Sequence, residues 1–192
     1  MRLLATLLLA SCATLLQGCF PIAATGVGAT AMMLDDRRST GIYIEDENVE
    51  WKARILLFNK FKDAHVNVTS YNLSVLLTGE TPTEAQKKEI GDAIRAIPSV
   101  KNLTNELVVG GNSSLTSRSS DAIITTNVKA RSINNPKFSF NHVKAITEAG
   151  VVFLLGVVTR DEGDAAAEIA RTTSGVSRVV KVFEYIDKVP GK

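Results

Sequence analysis

An α+β fold made of two tandem copies of one unit follows from three features of this sequence. First, the 192-residue chain matches itself at a shift of 77 residues, with 10 identities in the 28 positions from 52 to 79 and no gap. Lys52-Ala53-Arg54 falls on Lys129-Ala130-Arg131, Lys60-Phe61 on Lys137-Phe138, His65-Val66 on His142-Val143, and Gly79 on Gly156. Second, each half carries element signals in the order α-β-β-α-β, which predicts two helices packed on a three-stranded mixed sheet. Third, a polar, glycine-rich stretch opening with Gly110-Gly111-Asn112-Ser113-Ser114 separates the halves and reads as a linker. The expected layout is a first domain over 46–110, a linker over 111–119 and a second domain over 120–188.

The first helix is expected over about 48–61, with Val49, Ala53, Leu56 and Leu57 on one side, and its counterpart over about 122–133, with Ile124 and Val128 inward. Asp121 or Ser120 supplies the N-cap residue type there. Alternating and apolar runs predict strands at 66–70, 74–79, 143–147 and 151–157, joined by short turns. Thr81-Pro82-Thr83-Glu84 and Thr159-Arg160-Asp161-Glu162 both place Thr three residues before Glu. That is the capping-box start of the second helices, with Pro82 at the opening helical position. Ile90, Ala93, Ile94 and Ile97 form one apolar face, as do Ala165, Ala166, Ile169 and Ala170. Pro98 and Gly175 end these helices, and final strands follow at 103–109 and 178–186. A unit of 60–70 residues has a small core, so the copies are expected to pack on each other or on the segment that precedes them.

That segment begins with one basic residue, Arg2, followed by a 14-residue apolar run from Leu3 to Leu16. A spanning helix needs about 20 such residues, and the flanks fit a secretory signal peptide. Leu16-Gln17-Gly18-Cys19 resembles the bacterial lipobox, in which a peptidase cuts before a cysteine carrying a diacylglyceryl group. The expectation is that residues 1–18 are removed, leaving 174 residues, and that Cys19 becomes the lipidated first residue. Cys12 leaves with the leader, so no disulfide is expected. Two or more acyl chains give stable anchoring. Residues 19–45 read as a tether, within which Asp35-Asp36-Arg37-Arg38 is a solvated mixed-charge run. Phe20 stands where an aspartate in such lipoproteins favours inner-membrane retention, which implies sorting to the outer membrane.

Without Arg2 the chain holds 21 basic and 20 acidic residues, a balance that provides no field for nucleic acid. Catalysis needs convergent groups, and no phosphate loop, Cys-x-x-Cys or Gly-x-Ser-x-Gly occurs. His65 and His142 stand at equivalent places before a strand and read as structural. Gly79 and Gly156 read as backbone requirements at strand ends. No catalytic residue and no metal site is expected. No cofactor is expected beyond the covalent diacylglycerol and N-acyl chain on Cys19.

Two α-β-β-α-β copies containing "VLLTGETPTEAQ" and "VFLLGVVTRDEGDAAAEIA" resemble tandem BON domains. Together with "LLQGC", "DDRRSTG" and "SDAIITTNVKAR", the chain is similar to the dual-BON outer-membrane lipoproteins of Gram-negative bacteria. The resemblance implies a non-enzymatic protein that faces the periplasm and supports outer-membrane integrity. It also implies binding of anionic phospholipid, phosphatidylglycerol or cardiolipin, through the first helix of the second domain. Transferred onto this chain, that helix is the Asp121 to Ile133 stretch, with Ile123 where the family carries a tryptophan; on it the residues expected to contact lipid are Ile123, Asn127, Lys129 and Arg131. Basic residues near an anionic surface contribute about 1 kcal/mol each. The alternative expectation is a protein-interaction module that docks to envelope-assembly machinery, with outer-membrane assembly proteins as its partners.

Overall fold

A computed structural model describes residues 36–188. The leader, Cys19 and the first part of the tether lie outside the described residues. Helix α1 (Thr40–Lys60) precedes the hairpin β1 (His65–Tyr71) and β2 (Ser74–Thr81), helix α2 (Glu84–Arg95), and the short strands β3 (Asn102–Asn105) and β4 (Val108–Val109). Helix α3 (Leu115–Ser132), one 3-10 turn (Phe140–His142), the hairpin β5 (Val143–Glu148) and β6 (Val151–Val158), helix α4 (Arg160–Arg171) and β7 (Arg178–Tyr185) complete the chain.

Each copy forms the expected mixed sheet. β2 is central in the first, antiparallel to β1 with Val66 opposite Gly79 and parallel to β3 with Val75 opposite Leu103. The last strand is broken: β4 rejoins β2 at Glu80–Val108 after a step that buries Leu107. In the second sheet β6 is central, antiparallel to β5 and parallel to β7 along its whole length.

Strand alternation divides each sheet into two buried faces. Val75 and Leu77 join Val49, Ala53, Leu57, Ile90 and Ile94 in the first helix–sheet core. Val152 and Leu154 join Ile124, Val128, Ala166 and Ala170 in the second. The remaining faces meet in a third cluster of Tyr71, Leu76, Phe153 and Leu155, flanked by Ile146, Val180 and Val182. The copies therefore pack on each other through their sheets, which is why both central strands are buried nearly throughout.

Several boundaries differ from the sequence expectation. α1 begins eight residues before position 48 because Ser39 caps it, its side chain accepting from the Ile42 N–H. α3 begins at Leu115, within the stretch expected as linker 111–119, because Ser114 caps it by accepting from the Ser117 N–H. A serine-rich run looks like a linker, yet Ser119 Oγ bonds back to the Leu115 carbonyl within the helix. The cap of α2 is Thr83 and not Thr81, so Pro82 precedes the cap. The Thr159–Glu162 capping box is present in full.

The helix register also departs from the 77-residue match. Ser39 and Ser114, Asp46 and Asp121, and Val49 and Ile124 are equivalent at a shift of 75. Phe61 and Phe138, both buried, are equivalent at 77. Two extra residues thus enter the connection after α3. Lys52-Ala53-Arg54 does not occupy the place of Lys129-Ala130-Arg131: Ala53 is fully buried, whereas Ala130 is exposed.

Gly79 and Gly156 lie inside β2 and β6 and not at their ends. A Cβ on Gly79 would collide with the His65 carbonyl oxygen, and one on Gly156 with that of His142. Close approach of the paired strand, together with a φ of +113° at Gly79, requires glycine there.

Candidate functional site

The two hairpin turns show how the first helix of each copy is seated. Asn72 and Leu73 both have positive φ, as do Ala149 and Gly150, the geometry of a two-residue hairpin turn. Leucine and alanine are poorly suited to that conformation. A buried aspartate compensates in each copy. Asp46 accepts from the N–H groups of Asn72 and Leu73 at 2.9 and 2.8 Å, and from Ser70 Oγ at 2.6 Å. Asp121 accepts from those of Ala149 and Gly150 at 2.9 and 2.8 Å. Asp121 is thus a turn-holding residue within α3 and not its cap.

With Asp121, Ile124 and Val128 turned inward, the positions of the expected contact residues are fixed. Ile123 is 62% exposed, and Leu115 and Ile133 are exposed on the same outer side of α3. Asn127 and Lys129 are both exposed, but two residues along a helix is about 200° of rotation, which puts them on opposite flanks. Lys129 faces the groove between the copies, where it lines a cavity of about 290 Å³ with Arg38, Tyr43, Phe140 and Lys144. Arg131 is turned toward α4: its guanidinium donates to the Ile169 carbonyl at 2.9 Å and to Thr173 Oγ1 at 2.6 Å. Ile123, Asn127, Lys129 and Arg131 therefore do not share one face.

The segment Asp36-Arg37-Arg38, expected to be solvated, is a strap between the copies. Arg37 reaches the second copy, forming a bidentate pair with Glu162 at 2.7 Å and donating to the Val157 carbonyl at 2.8 Å. Arg38 serves the first copy, paired with Asp36 at 2.7 Å and Asp46 at 2.9 Å and stacked 4.0 Å from the centre of the Tyr71 ring. The Arg37 hydrogen bonds outweigh the effect of burial and hold the Glu162 carboxyl at about 2, well below its ordinary value. Burial raises the Tyr71 hydroxyl to about 12. Nothing local betrays the strap, since Arg37 and Glu162 are 125 residues apart.

His65, Glu80 and Glu148 also converge across the interface, with potential ligand atoms within 4.8 Å of one another. Each carboxylate is already held by protein donors. Glu80 meets His65 Nδ1 at 2.8 Å and the Ser113 N–H at 3.1 Å, and Glu148 accepts from Asn67 Nδ2 at 2.8 Å. Burial alone would raise the Glu80 pKa, but the bonds from His65 and Ser113 lower it on balance. Glu148, held by Asn67 and Thr78 of the first copy, works as a polar clasp that joins the copies, with the His65–Glu80 pair beside it.

Comparison with known proteins fits this two-copy architecture. The BON domain family model matches residues 52–111 and 120–187. Outer membrane lipoprotein DolP of Haemophilus influenzae is 37% identical over 175 residues, covering 90% of this chain and 91% of that protein. The 21 kDa hemolysin of Actinobacillus pleuropneumoniae is 35% identical, covering 79% of each chain. Osmotically-inducible protein Y of Escherichia coli is 26% identical, covering 72% of each. The chain belongs to the BON-domain family, with two BON domains and the outer-membrane lipoprotein character of its DolP relative.

Proposed function

We propose that this protein is a non-enzymatic, Cys19-anchored lipoprotein whose second BON domain docks on anionic phospholipid of the outer membrane and so supports the integrity of that membrane. The observation that carries this reading is the outer side of α3, where Leu115, Ile123 and Ile133 are 81%, 62% and 51% exposed. Apolar side chains with a cation nearby suit the headgroup–acyl boundary of an anionic leaflet. Ile123 makes the apolar contact, Asn127 borders it, and Lys129 supplies charge from the opposite flank. Arg131 acts by fixing α3 against α4. Tethering through Cys19 raises the local concentration of lipid, so a weak contact suffices.

Vesicle co-sedimentation tests the proposal. Phosphatidylglycerol vesicles should retain the protein better than phosphatidylcholine vesicles, and Ile123→Asp and Lys129→Glu should each weaken that retention. Equal retention by both lipids, unaltered by either change, refutes it. A stoichiometric protein crosslinked in cells and kept by both variants would instead mark α3 as a docking face for envelope-assembly machinery.

A further inference from the structure

Most of the large apolar side chains that the described residues leave exposed stand on the first domain. α1 has two apolar sides. Val49, Ala53 and Leu57 enter the core. Ile44, Trp51, Ile55 and Phe58 are 55%, 63%, 46% and 75% exposed. At about 100° per residue these four fall within roughly 60° of one another, opposite the core, along about 21 Å of helix. A contiguous apolar strip of this kind, rimmed by polar groups, marks an interaction surface.

The rim is not electrically uniform. Glu45 and Glu47 flank the start of the strip, whereas Lys52, Arg54 and Lys62 flank its later part, where Arg54 is paired with Glu50 at 2.8 Å and Asp63 is a second acidic residue. Lys62 Nζ sits 5.8 Å from the centre of the Phe58 ring. Beside them opens a shallow cavity of about 380 Å³ lined by Arg54, Phe58, Phe61, Lys62 and His65. Aromatic rings with cations beside them are the composition of a membrane–water boundary. Chain connectivity points the same way. Residue 40, where α1 starts, is 21 residues after Cys19, so the chain permits at most about 75 Å between them.

We infer that the outer face of α1 is a second membrane-docking surface, with an anionic bilayer as its occupant. Trp51, Ile55 and Phe58 enter the headgroup–acyl boundary, while Lys52, Arg54 and Lys62 meet lipid phosphates. The contact does not require α3. It takes from the proposed function only the nearness that the Cys19 anchor provides.

Trp51 is the only tryptophan, so its emission reports this face and no other. The full-length chain is combined with vesicles of equal parts phosphatidylglycerol and phosphatidylcholine, or of phosphatidylcholine alone. A blue shift and quenching by brominated acyl chains are expected only with the anionic vesicles, and both should persist in Ile123→Asp. Phe58→Asp, at an exposed position that leaves the core intact, should weaken partition roughly tenfold, as befits losing one large buried apolar group. Emission unmoved by anionic vesicles, with binding abolished by Ile123→Asp, overturns the α1 surface and leaves the α3 reading standing. A blue shift without vesicles that grows with protein concentration also overturns it, because a second copy would then cover the strip.

Discussion

Inside the molecule α1 and α3 are nearly interchangeable, and outside they are not. Ser39 and Ser114 cap them, Asp46 and Asp121 hold the hairpin turns, and Val49 and Ile124 enter the cores at matching depth. At the same register Ile44, Trp51, Ile55 and Phe58 of α1 correspond to Ser119, Thr126, Ala130 and Ile133 of α3, and Asn48 to Ile123. Seating a helix on a sheet constrains the inner positions alike in both copies, whereas the outer positions are free to diverge. A contact residue inferred by likeness between copies, or between relatives, is therefore least secure on the outer face. The tryptophan shows this: the family resemblance looks for it on the second domain, and this chain carries it on the first.

The inner match is itself unequal, and mutation of the two aspartates should expose the inequality. Asp46 is 2% exposed and accepts from two backbone N–H groups, Ser70 Oγ and the Arg38 guanidinium. Asp121, 6% exposed, accepts from two N–H groups. Asp46→Ala would leave the turn and Ser70 Oγ without their acceptor and take from Arg38 one of its two carboxylate partners, Asp36 remaining, at a cost of about 3 kcal/mol or more. Asp121→Ala would strand the turn alone, at about 1–3 kcal/mol. Denaturant unfolding of the two variants measures the difference. Equal losses would mean that Arg38 adds nothing to the Asp46 site.

The sequence made the repeat, the element order and the helix–sheet cores legible, because periodicity and capping act within a few residues. Its failures share a cause. Asp36-Arg37-Arg38 reads as solvated because Tyr71 and Glu162, two of the partners that bury it, are distant in the chain. Asp121 reads, with Ser120, as a cap candidate because its true partners, the N–H groups of Ala149 and Gly150, lie in a turn beyond the helix. The Lys-Ala-Arg triplets aligned by identity while their burial disagreed. The strip at 44, 51, 55 and 58 was readable, since its spacing is helical; a helix start placed at 48 cut off its first member.

The strap between the copies gives the next effect. Glu162 has a folded pKa of about 2, set first by the Arg37 hydrogen bonds, below its ordinary value of 4.5. Stability from this pair is present in full above about pH 4.5 and is lost as the pH falls toward and through 2. Arg37→Met should therefore destabilise the protein by on the order of 2–3 kcal/mol at pH 6. The gap to the unmodified protein should close as acid is added across that window. A gap that stays constant from pH 6 to pH 2.5 would show that Arg37 stabilises through its Val157 contact and not through the carboxylate.

The smallest effect separates Lys129 and Arg131 of α3, which the sequence places two positions apart and the structure assigns different surroundings. Arg131 donates to the Ile169 carbonyl and to Thr172 and Thr173 hydroxyls near the C-terminal end of α4, where a cation also complements the helix dipole. Arg131→Gln keeps a shorter donor and should cost about 1 kcal/mol, readable as a small drop in the unfolding midpoint. Its retention on phosphatidylglycerol vesicles should change little under conditions where the variant stays folded. Lys129→Glu should do the reverse, leaving the midpoint nearly unmoved and weakening retention. The test lies in the crossing of these outcomes: if Arg131→Gln loses lipid as Lys129→Glu does, at unchanged stability, then both cations face the bilayer and the contacts to α4 give way on docking.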